Sequence, residues 1–552
     1  MKRIISFTGV GLALFLLIGF GYQASFKLVR FLPPSYQSFL AQAHFKVKTA
    51  AANIIDAFYP KTYWYGVYAS KLKTINLLLS PTDIVKLETD AQNAVKFGYN
   101  DKQTASNQQV TLWFEGNQYL ATISIHGGGA NDFVFNKNDY NVKIDKNKNI
   151  LGLSSFNLFN PSIHGWLVPL LANRVAAELN LYYNDQFPIL VKINNKTSGV
   201  YLLEEKINEE FLTKRGLEGA QVIRQRDETR LPHRVNPFAL NAHILSGLDL
   251  EIANADLLTP DDPATLYRLN QFYQAIKNRD MTKISGFIDL DYWARYDAYR
   301  ELLAVDHDTS GANLIMLFSP DDQKFYPVVR SESDLNQLSI SDGTTLKSFN
   351  NYDPHLAEQY DYPRIFLLLN RDQEFRFLKY RYLYQLISQA ARWKQEFQAI
   401  YDQQTPVFLY DTSDEASVWE KQKIFRGYRQ TLDHNFNLIK QELAFAQAAV
   451  NVINEGNRVT VEIIPDAVTP IDFDYITLKF ADWPSQNIAA TINQKLIMAE
   501  INQEFKLVPT IYKFSFNLPA VTAVEVKARN KITGEPINLV VVAIASNQPP
   551  TD

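Results

Sequence analysis

The chain has 552 residues, with 55 Lys and Arg against 59 Asp and Glu, and no Cys. At ~100–200 residues per domain the length suggests several modules, and 46% hydrophobic with 21% charged residues excludes wholesale disorder or a collagen-like repeat. A net charge of −4 excludes a global basic footprint for nucleic acid, and the missing Cys excludes disulfides, thiol catalysis, iron–sulfur clusters and Cys-ligated zinc.

Met1-Lys2-Arg3 precedes an uncharged run from Ile4 to Phe26. As a helix at ~1.5 Å per residue, that run can cross a hydrocarbon core of ~30 Å. The nearest cleavage-like site, Tyr22-Gln23-Ala24, has a bulky Tyr where a small residue is wanted. An uncleaved transmembrane signal anchor over residues 1–30 is therefore favoured over a cleaved signal. Lys2, Arg3 and the free amine place the N-terminus in the cytoplasm and the body outside it, a reading that Lys27 and Arg30 oppose. Residues 31–70 read as a membrane-proximal helical stalk, from the mixed helical spacing of Phe39, Leu40, Phe45, Val47, Ile54, Ile55 and Phe58. A helix packed on the main domain is the alternative.

From Lys71 to Lys143 strands dominate. Val110 to Phe114 and Tyr119 to Ile125 form a hairpin around Glu115-Gly116-Asn117, where Gly-Asn supplies the positive φ of the turn. Trp166 to Leu179 has one apolar helical face. Phe187 to Asn194 and Ser198 to Glu204 form a second hairpin around Asn194-Asn195-Lys196-Thr197, read as a tight turn rather than a glycosylation site. Thr265 to Lys277, Tyr292 to Val305 and two long segments between His355 and Gln447 are helix-rich. After Asn454-Glu455-Gly456-Asn457 short β runs recur: 459–464, 475–480, 514–516, 524–528 and 539–543. They suggest an appended β-sandwich over 455–546 that packs or docks rather than catalyses.

The chemistry-bearing residues cluster in four places. Asp308 and Asn313 lie in a polar loop between a helix and an apolar strand, five residues apart. In a protein-kinase catalytic loop that spacing joins a carboxylate that orients the attacking hydroxyl to an amide that holds a metal. Alone, it is a weak signal. A second strand, Lys324 to Val329, leads into Arg330-Ser331-Glu332-Ser333-Asp334, whose two carboxylates could face one metal from one side of the pleat. Lys143 sits in an alternating strand and could reach a phosphate as a point charge. Glu204 or Glu205, closing the second hairpin, could pair with such a lysine. Solvated strand ends and turns are the plain alternative for each. His126-Gly127-Gly128-Gly129 fits neither the P-loop nor the dinucleotide pattern, and neither a Gly-x-Ser-x-Gly elbow nor a metal-binding His spacing is present.

Taken in order, these segments resemble the spore-coat CotH family of atypical protein kinases. That family shows an early strand ending Arg-Gly and a Lys-x-Ser-Tyr-x-x-Lys strand. Then come an Asn-x-x-x-Gly-x-Tyr-x-x-x-Glu-Lys hairpin, an Asp-x-x-x-x-Asn loop and a strand ending Trp-Asp-x-Asp. The matches are Lys137 to Lys143, Asn195 to Lys206 with Gly199, Tyr201 and Glu205, and Asp308 with Asn313. The resemblance covers residues 71–447. It implies an α+β, divergent protein-kinase-like body, strand-rich first and helix-rich later. It implies ATP with Mg²⁺ or Mn²⁺, and phosphoryl transfer to Ser or Thr hydroxyls of a protein substrate. Lys143 would hold phosphate, supported by Glu205; Asp308 would orient the acceptor; Asn313, Glu332 and Asp334 would bind metal. The sequence departs from the family at His126, in the place of Arg, and at Ser331-Glu332-Ser333-Asp334, in the place of Trp-Asp-x-Asp. Glu adds a methylene to a ligand of a metal with tight geometry, and losing Trp removes a packing anchor. The alternative is therefore a catalytically weak or inactive CotH-like envelope protein (a pseudokinase) in surface assembly or partner binding, and scarce extracytoplasmic ATP favours it. In either case the partners are a protein and, through the N-terminal helix, the membrane.

Overall fold

The computed structural model describes residues 61–97, 106–127, 137–145, 148–225, 250–252, 263–305, 315–330, 335, 337–338, 340–341, 345–346, 365–414, 416–502, 507–508, 510–537 and 539–546. The anchor, most of the stalk, Asp308, Asn313, Glu332 and Asp334 lie outside the described residues. Among those described, no helix is long and apolar enough to cross a membrane.

Seven strands close into a barrel: β1 (Thr74–Leu78), β2 (Gln108–Phe114), β3 (Asn117–Ile125), β4 (Tyr140–Ile144), β5 (Ser155–Phe159), β6 (Gln186–Ile193) and β7 (Lys196–Glu205), in the order β1-β2-β3-β4-β5-β7-β6. Neighbours are antiparallel, except that β1 and β6 run parallel where the barrel closes. Alternation decides which residues fill it. Ile75, Leu77, Val110, Leu112, Ile123, Val142, Ile144, Phe156, Leu158, Tyr201 and Leu203 share one interior core.

The two expected hairpins form, each on a two-residue turn with both φ values positive. Asn194 and Asn195 make the second, at φ 50° and 64°. Their side chains bond the Leu79 backbone and the Asn76 amide. The first turn sits one residue earlier than its sequence suggests, with Glu115 at φ 48° and Gly116 at φ 81°. Asn117 already begins β3.

Helix α1 (Lys61–Ala69) stacks Trp64 and Tyr68 on Tyr410 at 6.2 and 6.0 Å. Helix α2 (Pro81–Phe97) falls in a stretch read mainly as strand. The Ser80 Oγ accepts the Asp83 amide at 3.1 Å, with Pro81 next in the chain, a start signal visible in Ser80-Pro81-Thr82-Asp83.

Beyond the barrel come α3 (Val168–Glu178), α4 (Glu209–Lys214), β8 (Gln221–Gln225), β9 (Leu250–Ile252), α5 (Pro263–Lys277), α6 (Met281–Ser285), α7 (Leu290–Leu303), β10 (Ile315–Ser319) and β11 (Lys324–Pro327). After the short β12 (Ile340–Ser341) and β13 (Thr345–Leu346) follow α8 (Ile365–Leu369), α9 (Gln373–Ser388), α10 (Ala390–Leu409) and α11 (Val418–Ala444). Strands β8 to β11 form one antiparallel sheet, order β11-β10-β8-β9. Helix α7 is the hub of the helical core, buried on every side from Tyr292 to Leu303 apart from Arg295. Its charges are enclosed as a network: Asp297 contacts Arg300 at 3.3 Å and Lys379 at 3.0 Å, and Lys379 also meets Glu301 and, at 3.0 Å, Asn370.

The C-terminal strands are β14 (Ala448–Glu455), β15 (Arg458–Pro465), β16 (Ile471–Phe480), β17 (Gln486–Asn487), β18 (Glu500–Ile501), β19 (Leu507–Val508), β20 (Tyr512–Phe516), β21 (Val521–Asn530) and β22 (Leu539–Ser546). The sheets β20-β15-β14-β22 and β17-β16-β21 feed one apolar core, with Val450, Val461 and Ile463 from the first and Ile476, Leu478 and Ala528 from the second. Strand β14, not among the expected β runs, lies inside its sheet, antiparallel to β15 and parallel to β22. The chain is thus a mixed α+β protein, strand-rich at first and helical through its middle.

Candidate functional site

Barrel strands have two faces, and the face decides which residues can meet a ligand. Val142 and Ile144 point inward with Tyr201 and Leu203, whereas Val200 and Leu202 join an outer cluster with Phe159, Trp166 and Phe425. By this alternation Lys143 and Glu204 belong to the outer face and Glu205 to the inner. Lys143 is exposed, flanked across the sheet by Thr122 and Ser155.

The carboxylate of Glu205 is already engaged. Its Oε2 meets Arg215 at 2.8 Å and accepts the Asp185 amide at 3.0 Å, and its Oε1 lies 3.4 Å from Lys214. The expected support of Lys143 by Glu205 is therefore not formed, because the two point to opposite faces and Glu205 serves the barrel rim.

Glu204 takes the outer position. It is fully buried, and the amides Asn157 Nδ2 and Gln186 Nε2 each donate to it at 2.9 Å. Burial pushes its carboxyl above the ordinary glutamate value, against the opposing pull of Arg330, the Asn157 bond and His164. Two residues further, half-buried Lys206 is pushed down to about 8 by burial, with Glu204 opposing the fall and Lys143 adding to it. His126, at the family arginine position, bonds Asn141 at 2.9 Å and lies edge-on to Phe159. Phe159 in turn stacks on His164, whose Nε2 is 2.9 Å from Asp139.

Next to this face lies a buried clamp. Lys137 donates to Asp411 at 2.9 Å and to the Val200 carbonyl, and stands 4.5 Å over the Tyr201 ring. Asp411 also accepts the Val200 amide at 3.0 Å and the Ser413 hydroxyl at 2.8 Å. Burial would raise the Asp411 carboxyl, but Lys137 and Lys421 hold it below the usual range. Gly199 is required here: at φ +128° a Cβ would stand 1.8 Å from the Ser413 Oγ. The Trp166 indole donates to Asp414 at 3.0 Å, so the link between α10 and α11 is fixed to the barrel side by buried polar contacts.

The four expected groups outside the described residues have described neighbours, and these converge. Helix α7 ends with Ala304 in the left-handed region at φ 50° and with Arg300 donating to the Val305 carbonyl. Asn435 of α11 donates to the Leu302 carbonyl at 3.0 Å and accepts the Leu338 amide at 2.9 Å, joining the residues before the Asp308 loop to those after Asp334. The other two flanks meet as well, since the Val328 amide donates to the Ile315 carbonyl at 3.0 Å. Tyr292, Trp293 and Tyr296 of α7 fix this hairpin by donating to the carbonyls of Pro327, Phe325 and Val328. Arg330, the last described residue before Ser331, acts electrostatically on Glu204. Among the described residues, no group of three or more acidic or His side chains could hold a metal.

Residues 123–411, more than half of the chain, match the family described as CotH kinase protein. The chain belongs to this family. The matched span holds the outer barrel face and the hairpin of β10 and β11, and ends on Asp411. No curated protein matches the sequence. The sequence alone leaves Glu204 and Glu205 open, and the family motif points to Glu205. The period-2 alternation through Val200, Leu202 and Glu204 was the signal that separates them.

Proposed function

We propose that the chain is a membrane-anchored CotH-family kinase that transfers a phosphoryl group from ATP to Ser or Thr hydroxyls of a protein. The family match carries this reading, and the coupling of Glu204 to Arg330 supports a cleft between the outer barrel face and the open end of the β10–β11 hairpin. The donor set suits a polyphosphate: Lys143, Lys206 and Arg330 bring cationic groups around one buried carboxylate. In this scheme Asp308 accepts the proton of the acceptor hydroxyl and orients it, while Asn313, Glu332 and Asp334 hold Mg²⁺ or Mn²⁺. The metal supplies charge neutralisation at the phosphates when bound. The N-terminal run would anchor the body outside the cytoplasm, and the two C-terminal sheets would form a sandwich that docks a partner.

A second reading, a pseudokinase acting in surface assembly, is favoured by two observations. Ser331-Glu332-Ser333-Asp334 departs from the family motif, and Glu205 is committed to Arg215.

The test is nucleotide binding with Mg²⁺ or Mn²⁺, then autophosphorylation, for wild type, Asp308→Ala and Asp334→Ala. Transfer by the wild type and loss in both variants supports the kinase. Metal-dependent nucleotide binding without transfer supports the second reading, and no nucleotide binding overturns the kinase.

A further inference from the structure

The resemblance gives the phosphate contact to Lys143, but the described geometry favours another lysine. Lys143 is exposed on β4 and can remain solvated there at no cost. Lys206 is half-buried just past the end of β7, within electrostatic reach of Glu204. Among the described residues it forms no ion pair or hydrogen bond; Glu204 is its nearest attractive charge and Lys143 a repulsive one. An ammonium removed from water without a direct partner is costly unless something else completes its surroundings. Glu204 cannot move to meet it, because Asn157 and Gln186 hold both carboxylate oxygens, each at 2.9 Å. Lys143 and Arg330 add positive charge beside this pair, and among the described residues no anion is seated directly on Lys206. A phosphate would supply one.

We propose that Lys206, rather than Lys143, is the lysine that meets the nucleotide phosphates. This rests on the reading of the chain as a nucleotide-binding domain. Its partly deprotonated amine near pH 8 adds a chemical handle.

The experiment treats the full chain with Mg²⁺ and an ATP analogue whose terminal phosphate carries an acyl group. A neutral lysine amine beside that phosphate attacks the acyl carbon. The carbon–nitrogen bond forms, the carbon–oxygen bond to phosphate breaks, ATP leaves with the electron pair, and the amine proton goes to solvent. Mass spectrometry then locates the amide, with and without excess ATP. Labelling of Lys206 that ATP suppresses is expected, and ATP-suppressed labelling on Lys143 instead overturns the assignment alone. No ATP-suppressed labelling anywhere, together with no binding of the analogue, overturns the nucleotide reading itself. As a second measurement, Lys206→Met should weaken binding of a fluorescent ATP analogue by about tenfold or more, the loss of one charged hydrogen bond. Lys143→Met should change it by less than about threefold. The reverse order sinks the proposal.

Discussion

Replacing Lys137 by Met tests whether the clamp between barrel and helices is a working part of the fold. The Lys137 and Asp411 side chains are 1% and 2% exposed, so solvent screens neither. Removing the lysine strands a buried carboxylate, a change that costs ~3–5 kcal/mol in comparable pairs. Asp411 keeps the nearby charge of Lys421 and three neutral donors, the amides of Val200 and Ser413 and the Ser413 hydroxyl, which argues for the lower half of that range. Loss of the cation–π contact with Tyr201 at 4.5 Å and of the bond to the Val200 carbonyl returns ~1 kcal/mol or more. A destabilisation of ~4 kcal/mol follows, against the ~5–15 kcal/mol that hold a typical domain.

Native-state hydrogen exchange of the β6 and β7 amides, in rising urea, isolates this region from the C-terminal sheets. Lys137→Met should lower the opening free energy of these strands by ~4 kcal/mol. Lys137→Met with Asp411→Leu should recover most of it, because replacing both partners with apolar groups leaves no stranded charge. The pH dependence has a definite sign. Asp411, held below its ordinary value in the folded wild type, adds stability that is present above that value and lost as pH falls through its lowered one. In Lys137→Met, protonation relieves the penalty instead, so the gap between the two proteins should narrow as pH falls through ~4. A single variant within ~0.5 kcal/mol of wild type, or a double variant at the sum of its singles, would falsify the clamp.

Gly199→Ala should destabilise the same strands by at least ~2–3 kcal/mol, from its positive φ and its approach to Ser413, measured by the same exchange. An effect below ~0.5 kcal/mol would show that the strand can relax around the added methyl. Glu204→Gln should leave the melting temperature at pH 7 unchanged or higher. The raised carboxyl carries its full penalty above its raised value and loses it as pH falls from there through the ordinary glutamate value, so wild type should gain on the variant as pH is lowered from ~7 toward ~4. A variant clearly less stable at pH 7 would make Glu204 a structural residue. Lys379→Met should cost ~3–5 kcal/mol, since it removes the buried cation that contacts both Asp297 and Glu301 of α7. Thermal melting with unchanged midpoint would contradict this.

Local rules reached most of the fold. Alternation and turn chemistry gave both barrel hairpins, and the apolar face of 166–179 gave α3. What they could not give is closure: β1 meets β6 in parallel across more than a hundred residues, and no local pattern encodes that partner. Helix α2 was legible in Ser80 and Asp83 but lay within a stretch dominated by strands. Helix α7 has no polar side, because its Asp297, Arg300 and Glu301 are satisfied inside the core, so periodicity could mark a helix there but not its central place.

The family pattern mixes two kinds of residue, and only the contacts separate them. Lys137, Gly199, Tyr201 and Glu205 all belong to its motifs, yet each touches protein. Lys137 binds Asp411 and stands over the Tyr201 ring, Gly199 makes room for Ser413, and Glu205 binds Arg215. Their chemistry is spent on holding the barrel to the helices and on closing the barrel rim. Lys143 and Glu204 are placed by alternation on the opposite face, with Lys206 just past the strand end, and there a buried carboxylate with a raised pKa and a lysine with a lowered one form no direct ion pair. Structural residues settle their charges within the fold, as the clamp does. Groups perturbed in this way gather at functional sites, and this is the ground for testing this face first. The site is therefore better sought by the parity of a strand than by the letters of a motif.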